Sequence, residues 1–300
     1  MKGMKVLNFG SLNYDYVYTV DHMVREGETL SSEKMETFLG GKGFNQSVAL
    51  SRAGIDVKHA GAVGEEGEGF LAFCRENGID TSYIRTLPGK SGHTIIQIDR
   101  NAQNCILLYG GANQSIPEEY VDEVLEDFGE GDFVLLQNEI NVTVSVVEKA
   151  YAKKMKVVLN PSPFDSALEA CDMSKVSVFL MNEIEGYMMT GEKEPEKILD
   201  VMEERYPDAC TVLTLGSDGV VCLSEHKRYR QEIVKVKAVD TTAAGDTFTG
   251  YFIAGLADNL DIPVILKRCV QASAIAVSRK GAAPSIPSKE EVEEASIVPP

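Results

Sequence analysis

Short apolar, β-branched runs alternate with longer amphipathic stretches along most of this 300-residue chain, and no other feature narrows its possible folds as much. Strands are predicted at 5–9, 133–136, 156–159, 176–181 and 211–215. Helices are predicted over 44–52, 69–76, 117–127, 143–152, 183–189, 194–204, 247–257 and 262–278. Alternation on this scale implies an α/β fold, with a central, mainly parallel sheet flanked by helices. Residues 13–39 and 91–110 break the pattern and read as extended segments with period-2 polarity. A small four-stranded β-sheet lid, inserted in a single α/β domain spanning 1–300, accounts for both. Ligands of such folds sit at the carboxyl ends of the parallel strands, where a lid can cover them.

Charge removes one class of function. The formal net charge of −17, with no compensating Lys/Arg cluster, argues against nucleic acid as a partner. ATP stays possible, since Mg²⁺, backbone N–H groups and a few local cations can meet its phosphates. No segment has the apolar length of a membrane span. The N-terminal apolar stretch Val6-Leu7-Asn8-Phe9 is too short for a signal-peptide core and reads as a buried first strand. The six cysteines, at 74, 105, 171, 210, 222 and 269, form no CxxC or Cys/His cluster, so reduced thiols are expected.

Several familiar motifs are missing: GxxxxGK[ST], HExxH, GxSxG, and GxGxxG after the first strand. The strongest local signal is Val239-Asp240-Thr241-Thr242-Ala243-Ala244-Gly245-Asp246-Thr247-Phe248. Here a strand end gives way to small residues and then to a helix. The N–H groups of Ala243, Ala244 and Gly245 are predicted to be open to an anion. Asp246 in that first turn can take a proton from a hydroxyl. A helix cap is the commoner role for such an aspartate, and this stretch alone does not decide between the two.

Four weaker signals accompany it. Gly40-Gly41-Lys42-Gly43-Phe44-Asn45-Gln46 opens a helix either with backbone that a ligand can approach closely, Lys42 and Asn45 adding donors, or as a tight turn with an exposed lysine, the commoner case for such a loop alone. Asn13 and Asp15, two apart on an extended segment, share a face and either suit adjacent sugar hydroxyls or are solvated polar residues of an edge strand, whereas Tyr14 and Tyr16 point the other way. Asn182-Glu183-Ile184-Glu185 stands at a strand-to-helix junction, where carboxylates either hold hydrated Mg²⁺ or serve the helix terminus. Thr214-Leu215-Gly216-Ser217-Asp218-Gly219 is either a phosphate cradle or an ordinary turn.

In their order and spacing these residues resemble the ribokinase-like (PfkB) carbohydrate kinases. The likeness runs from Gly10-Ser11-Leu12-Asn13-Tyr14-Asp15 to Arg279-Lys280-Gly281-Ala282-Ala283-Pro284-Ser285. Its most specific matches are the loop at 40–46 and the run at 238–248. Gly27-Glu28-Thr29, Gly111-Ala112-Asn113, Asn160-Pro161-Ser162-Pro163 and Asn182 with Glu185 also match. Lys42 is usual in the ribokinase branch and usually replaced in fructokinases and adenosine kinases.

The resemblance implies transfer of the γ-phosphoryl group of ATP to a primary hydroxyl of a small sugar, with D-ribose the leading substrate. The alternatives are another pentose, a ketohexose or a nucleoside on the same fold, or a catalytically silent sugar-binding or regulatory protein. It also implies Asp246 as the base, with Ala243, Ala244 and Gly245 forming an anion hole. Asn13, Asp15, Gly41, Lys42, Asn45 and Glu139 would hold the sugar. Asn182 and Glu185 would organise Mg²⁺ and the phosphates, the Mg²⁺ reached through water, and Thr214, Gly216 and Gly219 would line the nucleotide site. Asp240, Thr242, Ala276, Arg279, Gly281 and Ser285 would hold K⁺, several through backbone carbonyls. A cytoplasmic homodimer joined through its lids completes what the family implies. Three positions depart from the family: Phe44 replaces an alanine, Tyr14 a small residue, and Thr94 a small apolar residue against the sugar.

Overall fold

The computed structural model describes residues 4–101 and 103–297. Residues 1–3 and 298–300 of the expected domain and residue 102 of the second lid segment therefore lie outside the described residues. The elements run β1 (Val6–Phe9), β2 (Asn13–Thr19), β3 (Lys34–Gly40), α1 (Lys42–Arg52), β4 (Val57–Val63), α2 (Glu68–Glu76), β5 (Asp80–Thr86), β6 (Gly92–Ile98) and β7 (Asn104–Tyr109). They continue with α3 (Glu118–Leu125), β8 (Phe133–Gln137), α4 (Thr143–Ala152), β9 (Lys156–Asn160), α5 (Ser166–Glu169), β10 (Val178–Asn182), α6 (Glu183–Thr190) and α7 (Pro195–Arg205). The chain closes with β11 (Cys210–Thr214), β12 (Val220–Ser224), β13 (Lys227–Gln231), α8 (Ala244–Ala257), α9 (Ile262–Val277) and α10 (Lys289–Ile297).

Nine strands form the main sheet in the order β13-β12-β11-β10-β9-β8-β1-β4-β5. The strands from β11 to β5 in that order run parallel, and β12 and β13 join antiparallel. Both faces are covered, because alternate residues of each parallel strand enter different cores. Leu7, Phe9, Val134, Leu136, Val157 and Leu159 pack with α3, α4 and α7. Val6, Phe133, Leu135, Val158, Val178 and Leu180 pack with α1, α8 and α9. The same period-2 rule turns Asn8, His59, Gln137 and Asn160 toward the layer that contains α1 and α8.

The predicted fold class therefore stands. The extended segments form a second sheet in the order β3-β2-β6-β7. Its β2 follows directly on β1 and its β3 leads directly into α1, which sets it beside the carboxyl ends of the main strands. In register, Asn13 faces Gly40 and Asp15 faces Thr94. The sequence patterns did not predict β4, β5, β12 or β13. Strand β5 is a polar edge, and the β12–β13 hairpin turns on Glu225 and His226 at φ 51° and 58° without the Asn-Gly or Asp-Gly signature of such turns. All six cysteines are free. Among the described residues no helix is long and apolar enough to cross a membrane.

Candidate active site

Helix α8 begins at Ala244, three residues before its predicted start. Its N-cap, Ala243, sits in the left-handed region at φ 61° and makes no side-chain capping bond. Asp246 therefore does not cap the helix. Its buried carboxylate is held instead by α1: Asn45 Nδ2 donates to Oδ2 at 3.0 Å and Gln46 Nε2 donates to Oδ1 at 2.9 Å. The expected anion hole needs one correction. The Ala244 N–H donates to the Thr241 carbonyl at 3.3 Å, closing a turn. No acceptor is found for the N–H groups of Ala243, Gly245 and Asp246 among the described residues, so the open donors at this helix end are those three.

The glycine loop enters α1 through Gly41, whose φ of 93° favours glycine. A Cβ there would stand 3.0 Å from the Asn13 backbone nitrogen and 3.1 Å from Ser11 Oγ. Glu139 accepts from the Lys42 backbone N–H at 3.0 Å and from the Ser11 hydroxyl. Burial raises its carboxyl above the ordinary range, opposed by the Lys42 cation and these donors. Burial acts to lower Lys42, but the carboxylates of Asp246, Glu139 and Glu185 outweigh it and the ammonium sits above the usual lysine value. Lys42 thus stays a cation at the meeting point of three acids.

On the second sheet, Asn13 Oδ1 accepts from Asn113 Nδ2 at 2.8 Å. Asp15 is pushed up by burial, and the Thr94 hydroxyl, donating to its Oδ1 at 2.6 Å, partly offsets this. Thr94, read from sequence as a contact for the sugar, is already bonded to Asp15. Tyr14 turns away from Asp15 as expected, packing 4.7 Å from the Phe70 ring and donating to the Glu66 carbonyl. Phe44 fills the core between Phe70 and Phe73. Asn45 keeps a buried Oδ1 with no partner, an acceptor next to Asp246.

At α6 the two readings of the acidic junction meet in one residue. Asn182 caps the helix, accepting from the N–H groups of Ile184 at 2.8 Å and Glu185 at 3.0 Å. Glu185 Oε2 reaches back to the Asn182 N–H at 2.8 Å, completing a capping box. The Thr214 hydroxyl contacts the Met181 carbonyl at 3.4 Å. Gly216 and Gly219 lie in the following turn, with φ 53° and 93°, and a Cβ on Gly219 would come within 2.2 Å of the Gln231 carbonyl oxygen.

Five of the six positions read as a cation site lie on two loops, with Ala276 in the last turn of α9; Asp240 ties the loops together, accepting from the Thr242 N–H at 2.9 Å and the Gly281 N–H at 3.0 Å. Burial raises Asp240, but these donors and Lys280 outweigh it and hold its carboxyl below the ordinary range. The Ala276 carbonyl accepts from the Arg279 N–H, the Arg279 guanidinium pairs with Glu291, and the Ser285 hydroxyl donates to the Ala282 carbonyl. Carbonyls of Thr242, Arg279 and Gly281 have no donor among the described residues, the oxygen chemistry an alkali cation takes. No group of three or more His, Cys, Asp or Glu able to hold a metal occurs among the described residues. That is compatible with Mg²⁺, which keeps its waters and takes few protein ligands.

A cavity of about 270 Å³ joins three of these parts, lined by Lys42, Asn182, Glu185, Thr214, Ala243, Gly245 and Asp246, with Asn160 and Ser162 on its wall; of the expected sugar residues only Lys42 lines it, and the six cation-site positions, Gly216 and Gly219 do not. Glycine loop, helix N-terminus and capped acidic junction thus open on one space. Sequence reasoning missed Gln46, Gln137 and Asn160 as partners of this site. The available signal was the amide that closes β8, β9 and β10: Gln137, Asn160 and Asn182.

The profile of the pfkB family carbohydrate kinases matches residues 4–289. The chain is 33% identical over 296 residues to a ribokinase of Haemophilus influenzae, covering 94% of this chain and 95% of that one. It is 30% identical over 305 residues to a deoxyribokinase of Salmonella typhi, covering 97% and 98%. Its structure is similar to that of Arabidopsis thaliana ribokinase complexed with ribose and ATP, with a TM-score of 0.88, 26% identity, and 99% and 100% of the two chains covered.

Proposed function

The chain belongs to the pfkB family of carbohydrate kinases, and from that premise we propose that it transfers the γ-phosphoryl group of ATP to a primary hydroxyl of D-ribose. The observation that carries this reading is Asp246, buried at the open N-terminus of α8 and held by two amides beside the Lys42 ammonium. Asp246 takes the proton of the attacking hydroxyl, while the N–H donors of Ala243, Gly245 and Asp246 face the phosphoryl oxygens. Lys42 adds a fixed positive charge where phosphate charge gathers. Asn13, Asp15, Gly41, Asn45 and Glu139 bind the sugar, the bare Oδ1 of Asn45 accepting one of its hydroxyls. Thr214, Gly216 and Gly219 border the nucleotide.

Glu185, whose second carboxylate oxygen is free of the capping box, would hold Mg²⁺ through water, together with Asn182. The ion would neutralise phosphate charge. K⁺ would sit among the carbonyls of the loops joined by Asp240 and stiffen the anion hole. The small sheet acts as a lid. Its edge strand β7 exposes Ile106, Leu107, Leu108 and Tyr109, which supports a homodimer formed through the lids. Six unpaired thiols fit a cytoplasmic setting, which cell fractionation would test.

A second pentose, deoxyribose, is favoured by one observation: the Thr94 hydroxyl already occupies an acceptor position on Asp15, leaving fewer for the hydroxyls of a sugar. The deciding experiment is an ADP-release assay over ribose, deoxyribose, other pentoses, ketohexoses and nucleosides. Ribose should give the highest kcat/KM, and a low rank for ribose would sink the assignment. Asp246→Asn should still bind sugar and lose kcat by about three orders of magnitude or more, as loss of a general base and its charge requires. Retained turnover would remove Asp246 from the chemistry.

A further inference from the structure

Beneath Asp246 lies a continuous run of buried amides whose donor and acceptor ends are dictated from outside. The Leu180 main-chain carbonyl can only accept, so Asn160 presents Nδ2 to it at 2.8 Å and turns Oδ1 toward Gln46. Gln46 must then present Nε2 to Asn160 at 3.1 Å, and the same Nε2 meets Asp246 Oδ1 at 2.9 Å. Gln46 Oε1 accepts from Gln137 Nε2 at 2.7 Å, and Gln137 also donates to Asn8 Oδ1 at 3.0 Å. Asn8 Nδ2 donates to the Gly43 carbonyl at 2.6 Å and to Ser47 Oγ at 2.8 Å. Ser47 meets His59 Nδ1 at 2.7 Å, and His59 Nε2 faces the Gly10 carbonyl at 3.2 Å.

The run thus ends on main-chain carbonyls, and no amide in it can flip without setting acceptor against acceptor. Asn8, Gln46, Ser47, His59 and Gln137 are fully buried, where a broken polar bond is expensive. Of the run's members Asp246 and Asn160 border the cavity, and Asp246 receives a fixed N–H donor that cannot turn into an acceptor.

We propose that Gln46, backed by Gln137, is a positioning residue that holds the Asp246 carboxylate aimed at the attacking hydroxyl. The inference rests on the reading of Asp246 as the base. Neither amide lines the cavity. Their contribution is to the direction of the carboxylate, which matters in the transition state and little for binding.

The test uses the full chain with Gln46→Met and Gln137→Met, which keep side-chain length and lose the donor, alongside Asp246→Asn. Losing a hydrogen bond to a charged group should cut the kcat of Gln46→Met by about ten- to a hundredfold. KM for ribose and for ATP should stay within about threefold. Gln137→Met, which leaves Gln46 tied by Asn160, should lose less kcat with the same unchanged KM. If both variants keep kcat within twofold of the parent while their unfolding midpoints fall, the amides serve only the core and the inference is overturned. Should Gln46→Met not fold, the kcat of Gln137→Met decides by the same criterion. An active Asp246→Asn overturns the base itself, whereas an inactive Asp246→Asn beside fully active Gln46→Met and Gln137→Met overturns only the positioning role.

Discussion

Replacing Gly40 by alanine tests the sugar site without substituting any side chain assigned to it. Gly40 faces Asn13 across the β2–β3 ladder, and its φ lies outside the left-handed region, so alanine brings no backbone strain. What it brings is a Cβ 2.0 Å from Asp15 Oδ2 and 2.9 Å from Asp15 Cγ. A Cβ essentially never comes within 3.0 Å of another heavy atom in this way, so the carboxylate must retreat by about 1 Å or more or rotate away. Rotation also breaks the 2.6 Å bond from Thr94.

Asp15 then presents its charge from the wrong place, and the sugar loses at least one charge-assisted hydrogen bond. Such bonds contribute about 1.5–3 kcal/mol, or about ten- to a hundredfold in affinity. Calorimetric titration of ribose into the ATP-free protein should therefore show Kd for Gly40→Ala raised by that factor. The KM for ATP should not move, and the unfolding midpoint should shift little, since a glycine-to-alanine change at a permitted φ gains about 0.4–1 kcal/mol against the local strain. A ribose Kd within twofold of the parent would refute the placement of Asp15 against the sugar. A collapse of the midpoint would mean that the strand, and not the carboxylate, had moved.

His59 offers a stability test with a definite sign. Burial lowers its imidazole from 6.5 to about 4, and only the Gly10 carbonyl acts in the other direction. Because the unfolded chain takes this proton first, the stability it confers is present above pH 6.5 and lost as pH falls toward 4. Between pH 7 and 4.5 the parent should lose about 2.5 kcal/mol that His59→Gln does not lose, read from denaturant unfolding at the two pH values. Parallel losses would show that His59 is not held neutral. Chelation by EDTA should abolish turnover and Mg²⁺ should restore it, with activity in EDTA excluding a divalent ion. Rates should be higher in K⁺ than in Na⁺ or choline salts, and equal rates would dismiss the cation loops. Leu107→Glu should halve the mass measured by light scattering, and a parent already monomeric at micromolar concentration would remove the lid dimer.

Much of the fold was legible because its signals are local. Apolar runs such as Phe133-Val134-Leu135-Leu136 mark strands buried on both faces, and the period-2 polarity of 13–39 and 91–110 marked the second sheet. The β12–β13 hairpin was not legible, since its turn has no glycine and Glu225 adopts a left-handed angle that its residue type does not announce. The amide run was hidden for a different reason: a single polar residue closing an apolar strand looks like the end of the strand. Only the pairing of β1, β8 and β9, which sets Gln137 in register with Asn160, makes Asn8, Gln137 and Asn160 neighbours, and α1 packed over them adds Gln46 and Ser47.

The two acidic helix starts explain why the catalytic assignment needed the third dimension. Glu185 and Asp246 both sit in the first turn of a helix that opens at the end of a strand or loop, and by local chemistry either is a cap. In α6 the partners are three residues apart, so Asn182 and Glu185 satisfy each other's backbone and the cap forms. In α8 the cap position is Ala243, which has no side-chain acceptor to offer, and the acid's partners are Asn45 and Gln46, about 200 residues earlier in the chain. An aspartate pulled off its own helix end by distant amides leaves that end's N–H groups open and its own carboxylate beside them. A cap would have consumed those donors. The separation of acid from cap is what places a carboxylate and open N–H donors in one cavity, and it depends on contacts between segments about 200 residues apart.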